Sequence, residues 1–296
     1  MKILVSGLLN VETTCAVRGF PINYYPIDYP FFGVNSAPAG VALNLVMALK
    51  TLGDEVILAS MLGNDFSAEY IRSSLNKDDI STDHLKEKLD TTPSSVILYD
   101  PDGKRQIYCD LKDIQEKEYG FDPSMLDGVD LVAACNINFN RSLLKLAKEQ
   151  GKIIATDVHA LSDPLDSYNR EFLEYADIVF LSDEYIGDNY REFMITLAET
   201  YHNEIIVMGR GSKGASIYIA KSGTITDIPA YTKVRVVNTV GAGDALFSSF
   251  IHYYLKGLEP EEALWRAEIF AAIKIQTNGA SRGFVTEDEI EKFVTK

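Results

Sequence analysis

Six short apolar runs punctuate the chain: KILVSG (2–7), EVILAS (55–60), VDLVAAC (129–135), KIIATD (152–157), DIVFLS (177–182) and EIIVMG (204–209). They are continuous rather than alternating, the pattern of strands buried on both faces. Between most of them lie stretches of helical period, such as 140–151 and 188–201, and Gly53, Gly151 and Gly257 stand where such helices stop. Strands alternating with helices predict an α/β fold, a doubly wound, mostly parallel sheet flanked by helices. Ligands of such sheets sit beyond the carboxyl ends of the strands, which singles out Gly7, Asp157, Ser182 and residues 209–214 as wall residues.

Two segments depart from this rhythm. Residues 18–33 (RGFPINYYPIDYPFFG) hold prolines and aromatics with few helix formers, and 94–110 (SSVILYDPDGKRQIYCD) is two alternating runs about a Pro-Asp-Gly turn. Both read as extended strands outside the main layers. With no linker or internal repeat, they are expected to form a small β lid, from about 13–33 and 94–110, inserted in one domain spanning 1–296.

Late in the chain, KVRVV (233–237) alternates as a half-buried strand does, and from Ala245 an apolar stripe of Leu246, Phe247, Phe250, Ile251, Tyr254 and Leu255 recurs at helical spacing. NTVGAGD (238–244) is then a strand-to-helix turn, with Asp244 in the first helical turn. Gly241 and Gly243 leave no side chain in the way, and a helix N-terminus offers free N–H groups to an anion. Asp244 is either a helix N-terminal acid or a general base aimed at a hydroxyl beside that anion. A carboxylate next to an anion site is electrostatically awkward unless it takes part in the reaction, which favours the base. A dinucleotide turn would need a third small residue where Leu246 stands.

Charge narrows the partners. The 296 residues carry 28 basic and 43 acidic side chains, a net charge of −15 that repels nucleic acid, so any phosphate site must be built locally from N–H groups, a few cations or a metal. Cys15, Cys109 and Cys135 are too few for a disulfide framework and read as small apolar residues in a reducing compartment. The N-terminal apolar run meets glycine and acid too early for a signal peptide, and no run is long enough to span a bilayer, so a cytoplasmic protein without a membrane partner is expected.

NTVGAGDALFSS resembles the C-terminal signature of the ribokinase-like, PfkB-type sugar and nucleoside kinases, normally D-T-x-G-A-G-D. AGVALNLVMALKTLGDEVILASMLG (39–63) is similar to the family's N-terminal signature, with Gly40, Ala42, Asn44, Gly53 and Gly63 in place and Val46 where a small residue is usual. GNDFS (63–67) continues the pattern with Ser67 for glycine, and QTNGAS (276–281) also fits. The resemblance covers nearly the whole chain. It implies ATP- and Mg²⁺-dependent phosphoryl transfer to a primary hydroxyl of a sugar or sugar-like molecule, often in dimers joined through the lid; a nucleoside is the alternative acceptor. It implies Asp244 as base, Gly241, Ala242 and Gly243 as anion hole, and Asn10, Glu12, Gly40 and Asn44 as substrate contacts. Asn44 is also a lone polar residue in an apolar helix, where a buried amide needs partners. Gly40 would let the sugar approach the backbone. On the nucleotide side the resemblance implies Asp157, Ser182, Gly211, Gly214, Asn278 and Gly279. Arg105, on the lid hairpin, reads as a solvated strand-face residue.

Several positions depart from the family. Glu12 is one methylene longer than the usual aspartate. The metal-organising N-x-x-E motif is replaced by SDEY (182–185), leaving Asp183 or Glu184 to serve. These changes motivate a rival reading, a catalytically weak ligand-binding member. Asn238 replaces the acid that helps hold a monovalent cation in many relatives, so little activation by K⁺ is expected.

Overall fold

The structure, a computed structural model, describes residues 1–294. The chain runs β1 (Lys2–Ser6), β2 (Asn10–Ala16), β3 (Val34–Ala39), α1 (Val41–Thr51), β4 (Glu55–Leu62), α2 (Phe66–Lys77), β5 (Leu85–Glu87), β6 (Ser94–Tyr99), β7 (Arg105–Asp110) and β8 (Leu131–Ala134). It continues α3 (Arg141–Glu149), β9 (Ile153–Ala160), α4 (Arg170–Tyr175), β10 (Ile178–Ser182), α5 (Tyr190–Tyr201), β11 (Ile205–Gly209), β12 (Ala215–Ile219), β13 (Thr224–Ile228), α6 (Ala242–Leu255), α7 (Pro260–Lys274) and α8 (Glu287–Val294). All six apolar runs are strands. Gly53, Gly151 and Gly257 follow α1, α3 and α6 in the left-handed region that lets a helix end.

The main sheet has nine strands in the order β13-β12-β11-β10-β9-β8-β1-β4-β5, parallel from β5 to β11 and closed by the antiparallel pair β12–β13. Alternation along the strands divides the core. Ile3 and Val5 pack with α1, α6 and α7, whereas Leu4 packs on the other face with α3, α4 and α5. This is the doubly wound architecture that the pattern predicts. The chain leaves β1 toward β4 and later returns to β8 on β1's other side, so the strand order reverses beside β1. There the strand ends are tied together: Asn140 Nδ2 donates to the Ser6 and Cys135 carbonyls at 2.8 Å each, and Ser60 Oγ donates to the Gly7 carbonyl at 2.7 Å. A crevice at this position has rigid walls.

A second sheet of four strands, β3-β2-β6-β7, stands apart from the first. Residues 94–110 form its β6–β7 hairpin, as the Pro-Asp-Gly turn predicts. Residues 18–33 do not form a strand: they are an irregular loop between β2 and β3, and the strands lie on either side of it. Their three prolines withhold the N–H groups that a ladder needs. KVRVV (233–237) is likewise not a strand; Val237 and Asn238 donate their N–H groups to the Ile275 carbonyl after α7, and β13 already closes the sheet edge. The predicted stripe on α6 widens into burial on all sides, because α6 runs between α1 and α7 and residues 245–253 are all buried. Cys109 is exposed rather than a small core residue, as β7 is the edge of the second sheet.

Glu268 on α7 is buried without a hydrogen bond or ion pair among the described residues, and burial pushes its carboxyl up to about 8. The fold thus favours the neutral acid, and stability falls as pH rises from about 4.5 toward 8. Glu268→Gln is expected to raise the melting temperature at pH 8, by a gain on the order of 1–3 kcal/mol that shrinks toward zero near pH 4.5. Thermal denaturation across that range checks it.

Candidate active site

Gly241 adopts φ 78°, and a Cβ there would meet the Ala280 carbonyl at 2.8 Å, so only glycine lets the turn lie against 278–280. Helix α6 begins at Ala242 with no side chain capping its first N–H groups. At Gly243 a Cβ would meet nothing within 4 Å, which leaves open space in front of those donors. The loop is therefore a glycine turn that brings the N-terminus of α6 to a cleft, with the Ala242 N–H held by the Thr239 carbonyl at 3.2 Å and the Gly241 and Gly243 N–H groups left for an anion.

Asp244 lies in that first turn and keeps part of its surface open. Asn44 Nδ2, from α1, donates to its Oδ2 at 2.7 Å. Burial pushes the Asp244 carboxyl up to about 6; the Asn44 hydrogen bond opposes this, the Asp157 carboxylate adds to it, and His159 and Lys274 oppose it. A carboxylate that half-titrates near neutral pH can take a proton and release it again.

Asn44 Oδ1 and Asn10 Oδ1 are buried and have no hydrogen-bond partner among the described residues. Asn10 Nδ2 donates to Ser95 Oγ at 3.1 Å, and Asn10 pairs in register with Ala39, one residue before Gly40. These two buried, unpaired acceptors, one of them on the amide that holds Asp244, are positions that hydroxyl groups would complete. Glu12 lies two residues further on the same face of β2; burial raises its carboxyl and Arg105 partly offsets that. Gly40 has φ 110°, and a Cβ would sit 2.3 Å from the Leu8 carbonyl oxygen, so contact with its own backbone accounts for the glycine without any ligand.

On the other side of the loop, Asn278 and Gly279 are exposed beside Gly241. Gly211 opens a helical turn after β11, and Gly214 is dictated by hairpin packing, since a Cβ there would be 2.1 Å from the Ile228 carbonyl. Asp157 lies in the C-terminal half of β9, accepting the His159 N–H at 2.8 Å. Ser182 ends β10 and accepts the Glu184 N–H at 3.2 Å. Asp183 faces Arg210 at 3.8 Å, and that guanidinium also faces Asp227 at 3.6 Å and covers the Tyr190 ring at 3.8 Å. Asp183 is thus engaged by an arginine, while Glu184 is exposed. Among the described residues no three His, Cys, Asp or Glu side chains gather as a metal cage. Sequence reasoning passed over His159, held at φ 59°, and Lys274, buried at the end of α7.

With this geometry in place, comparison decides the family. The sequence profile of the pfkB family carbohydrate kinases matches residues 2–287. The chain belongs to that family. It is a sugar or nucleoside kinase, and kinases of this family use ATP. A 5-dehydro-2-deoxygluconokinase of Clostridium perfringens is 24% identical over 88% of this chain and 85% of its own. Among solved structures, a microbiome-derived acarbose kinase superposes with a TM-score of 0.88 at 21% identity, covering 100% of this chain and 99% of that one. The Arabidopsis thaliana ribokinase complexed with ribose and ATP superposes at 0.83 with 19% identity, covering 99% and 98%. This kinase therefore has the ribokinase fold. No helix among its described residues is long and apolar enough to cross a membrane.

An aspartate raised to about 6 costs the fold stability once it ionises. Stability is full below about pH 3.8 and falls until about pH 6. Asp244→Asn is therefore expected to stabilise the kinase at pH 8 by on the order of 1–3 kcal/mol, with no gain near pH 4. Urea denaturation at the two pH values checks this.

Proposed function

We propose that the protein transfers the γ-phosphoryl group of ATP to a primary hydroxyl of a sugar or sugar-like small molecule, with Asp244 as general base. The observation that carries this reading is the pairing of Asp244, held by Asn44 and poised near neutrality, with the bare N-terminus of α6. The acceptor hydroxyl sits against Asp244, with Asn10 and Asn44 filling their unpaired acceptor positions through its other hydroxyls. As the acceptor oxygen bonds to phosphorus, its proton passes to an Asp244 oxygen, and the bond to the bridging oxygen of ADP breaks. In the Gly241-Ala242-Gly243 anion hole the unpaired N–H groups of Gly241 and Gly243 face the transferring phosphoryl oxygens, while the Ala242 N–H, held by the Thr239 carbonyl at 3.2 Å, shapes the turn.

The nucleotide would lie along Gly211, Gly214, Asn278 and Gly279, near Asp157 and Ser182. Mg²⁺ would supply charge neutralisation on the phosphates. Mg²⁺ in such sites rests on one or two carboxylates plus phosphates and water rather than a protein cage. Glu184 and Asp157 are the carboxylates that would hold it, with Asp183 facing Arg210 at 3.8 Å. The second sheet acts as a lid that excludes water as a competing acceptor.

The test is ATP consumption with Mg²⁺ across a panel of sugars, sugar derivatives and nucleosides. At least one sugar-like acceptor is expected to be phosphorylated, with kcat/KM falling about tenfold per pH unit below about 6 as Asp244 takes up a proton. Phosphorylation of nucleosides alone would move the acceptor class. Ligand binding without turnover on any acceptor would remove the reading.

Val34, Val96 and Tyr108 are exposed on one face of the second sheet, beside the exposed Phe31 and Phe32. We assign this apolar patch to a second copy of the chain, in a homodimer joined through the lid. Sedimentation at micromolar concentration should give a dimer that Val96→Lys with Tyr108→Glu converts to monomer; a monomeric wild type contradicts it.

A further inference from the structure

Lys274 is the last residue of α7, wholly buried, and its Nζ donates to the Val240 carbonyl. Among the described residues no carboxylate lies within ion-pair distance of it, and Asp244 is the acid whose field it feels. A buried ammonium with so little compensation is costly, and nothing in core packing calls for it. Its bond has a geometric consequence. In a trans peptide the carbonyl and the following N–H point opposite ways. Drawing the Val240 carbonyl inward therefore turns the Gly241 N–H outward, and that N–H has no acceptor among the described residues. The same loop is fastened by the Val237 and Asn238 N–H groups on the Ile275 carbonyl, at 2.9 and 3.0 Å, and by Asn238 Oδ1, which accepts the Val240 N–H at 2.8 Å.

We propose that Lys274 is a positioning residue for phosphoryl transfer: its ammonium locks the 240–241 peptide so that the Gly241 N–H faces the anion, and supplies the fixed positive charge behind the loop. Asn238 brings no carboxylate with which to hold a diffusible cation, so the built-in ammonium takes that place and K⁺ is not needed. The groups acting on Asp244 are then Asn44 from α1, Asp157 and His159 from β9, Cys135 beyond β8, and Lys274. Burial lowers the Lys274 ammonium to about 8, so it stays largely charged at pH 7 and is lost above pH 8.

The proposal leans on the kinase reading only for its rate measurements. The experiment compares wild type with Lys274→Met and Lys274→Ala, each confirmed folded by thermal melting. Rates are read in KCl and in tetramethylammonium chloride at equal ionic strength, and the Asp244 carboxyl is titrated by carbon-13 NMR. Wild-type rate and melting temperature should be the same in both salts, with an alkaline limb near pH 8. Lys274→Met should lose about 10- to 100-fold in kcat with acceptor KM little changed, lose the alkaline limb, and move the Asp244 midpoint up by about one unit. Lys274→Ala should regain rate and melting temperature with ammonium or K⁺. If Lys274→Met does not fold, Lys274→Arg should keep the Asp244 midpoint and Lys274→Gln should raise it. A folded Lys274→Met with the wild-type kcat and Asp244 midpoint overturns the proposal, as does several-fold stimulation of wild type by K⁺. If no acceptor is turned over, the Asp244 midpoints and the salt dependence of melting still decide it, separately from the kinase reading.

Discussion

If the N-terminus of α6 receives a phosphate as proposed, that phosphate and the Asp244 carboxylate share one small region of a protein whose net charge is −15, and their repulsion is what the cleft must offset. The helix N-terminus of α6 supplies part of the compensation through unpaired N–H groups. Asn44 adds a directed hydrogen bond to Asp244, and the Lys274 ammonium adds a whole charge from behind. None of these comes from the surface, which is acidic. They come from α1, α6 and α7, three helices packed on one face of the sheet with α6 between the other two. That packing explains why α6 is buried on all sides: its N-terminus has to be held to within a fraction of an ångström, and an amphipathic surface helix would leave it free to shift.

The sheet does the complementary work of bringing distant residues to one place. Because the strand order reverses beside β1, the ends of β1, β4, β8 and β9 open on the same crevice. The Asn140 and Ser60 hydrogen bonds fix those ends to one another. Asn44 and Asp244 are 200 positions apart in sequence and 2.7 Å apart in space as a result. The second sheet reaches the same crevice through β2, so Asn10 arrives next to Gly40 by strand pairing rather than by a separate loop.

What could be read in the sequence followed from how local each signal is. The six buried strands, the helix-ending glycines and the Gly-Ala-Gly-Asp turn are each specified by a handful of adjacent residues, and all stand where expected. Asn44 was visible as one amide in an apolar helix. Lys274 offers the same kind of signal, a single cation after the apolar run IFAAI, and it could have been found by that rule. Its partner carbonyl, 34 positions away, could not. KVRVV has the alternation of a strand, but its end is tied to the Ile275 carbonyl after α7 rather than to a neighbouring strand, a tertiary contact rather than a matter of propensity. Residues 18–33 have strand-like aromatics but prolines that prevent a ladder. A Cβ at Gly40 or Gly214 would collide with the chain's own carbonyls at Leu8 and Ile228, long-range contacts that no local pattern announces. Asp183, one of the two acids that SDEY offers for a metal, faces Arg210, 27 positions on, at 3.8 Å, a contact that no local pattern announces.

The central claim is that Asp244 removes the proton from the acceptor hydroxyl. It is tested most directly by the rate of the chemical step in a single turnover, measured by rapid quench at pH 8 in wild type and Asp244→Asn, with the affinity of each for ATP and acceptor measured by calorimetry. The account predicts a chemical step slowed by about 10²- to 10⁴-fold while both affinities stay within a few-fold of wild type. A chemical step that proceeds at the wild-type rate in Asp244→Asn would contradict it.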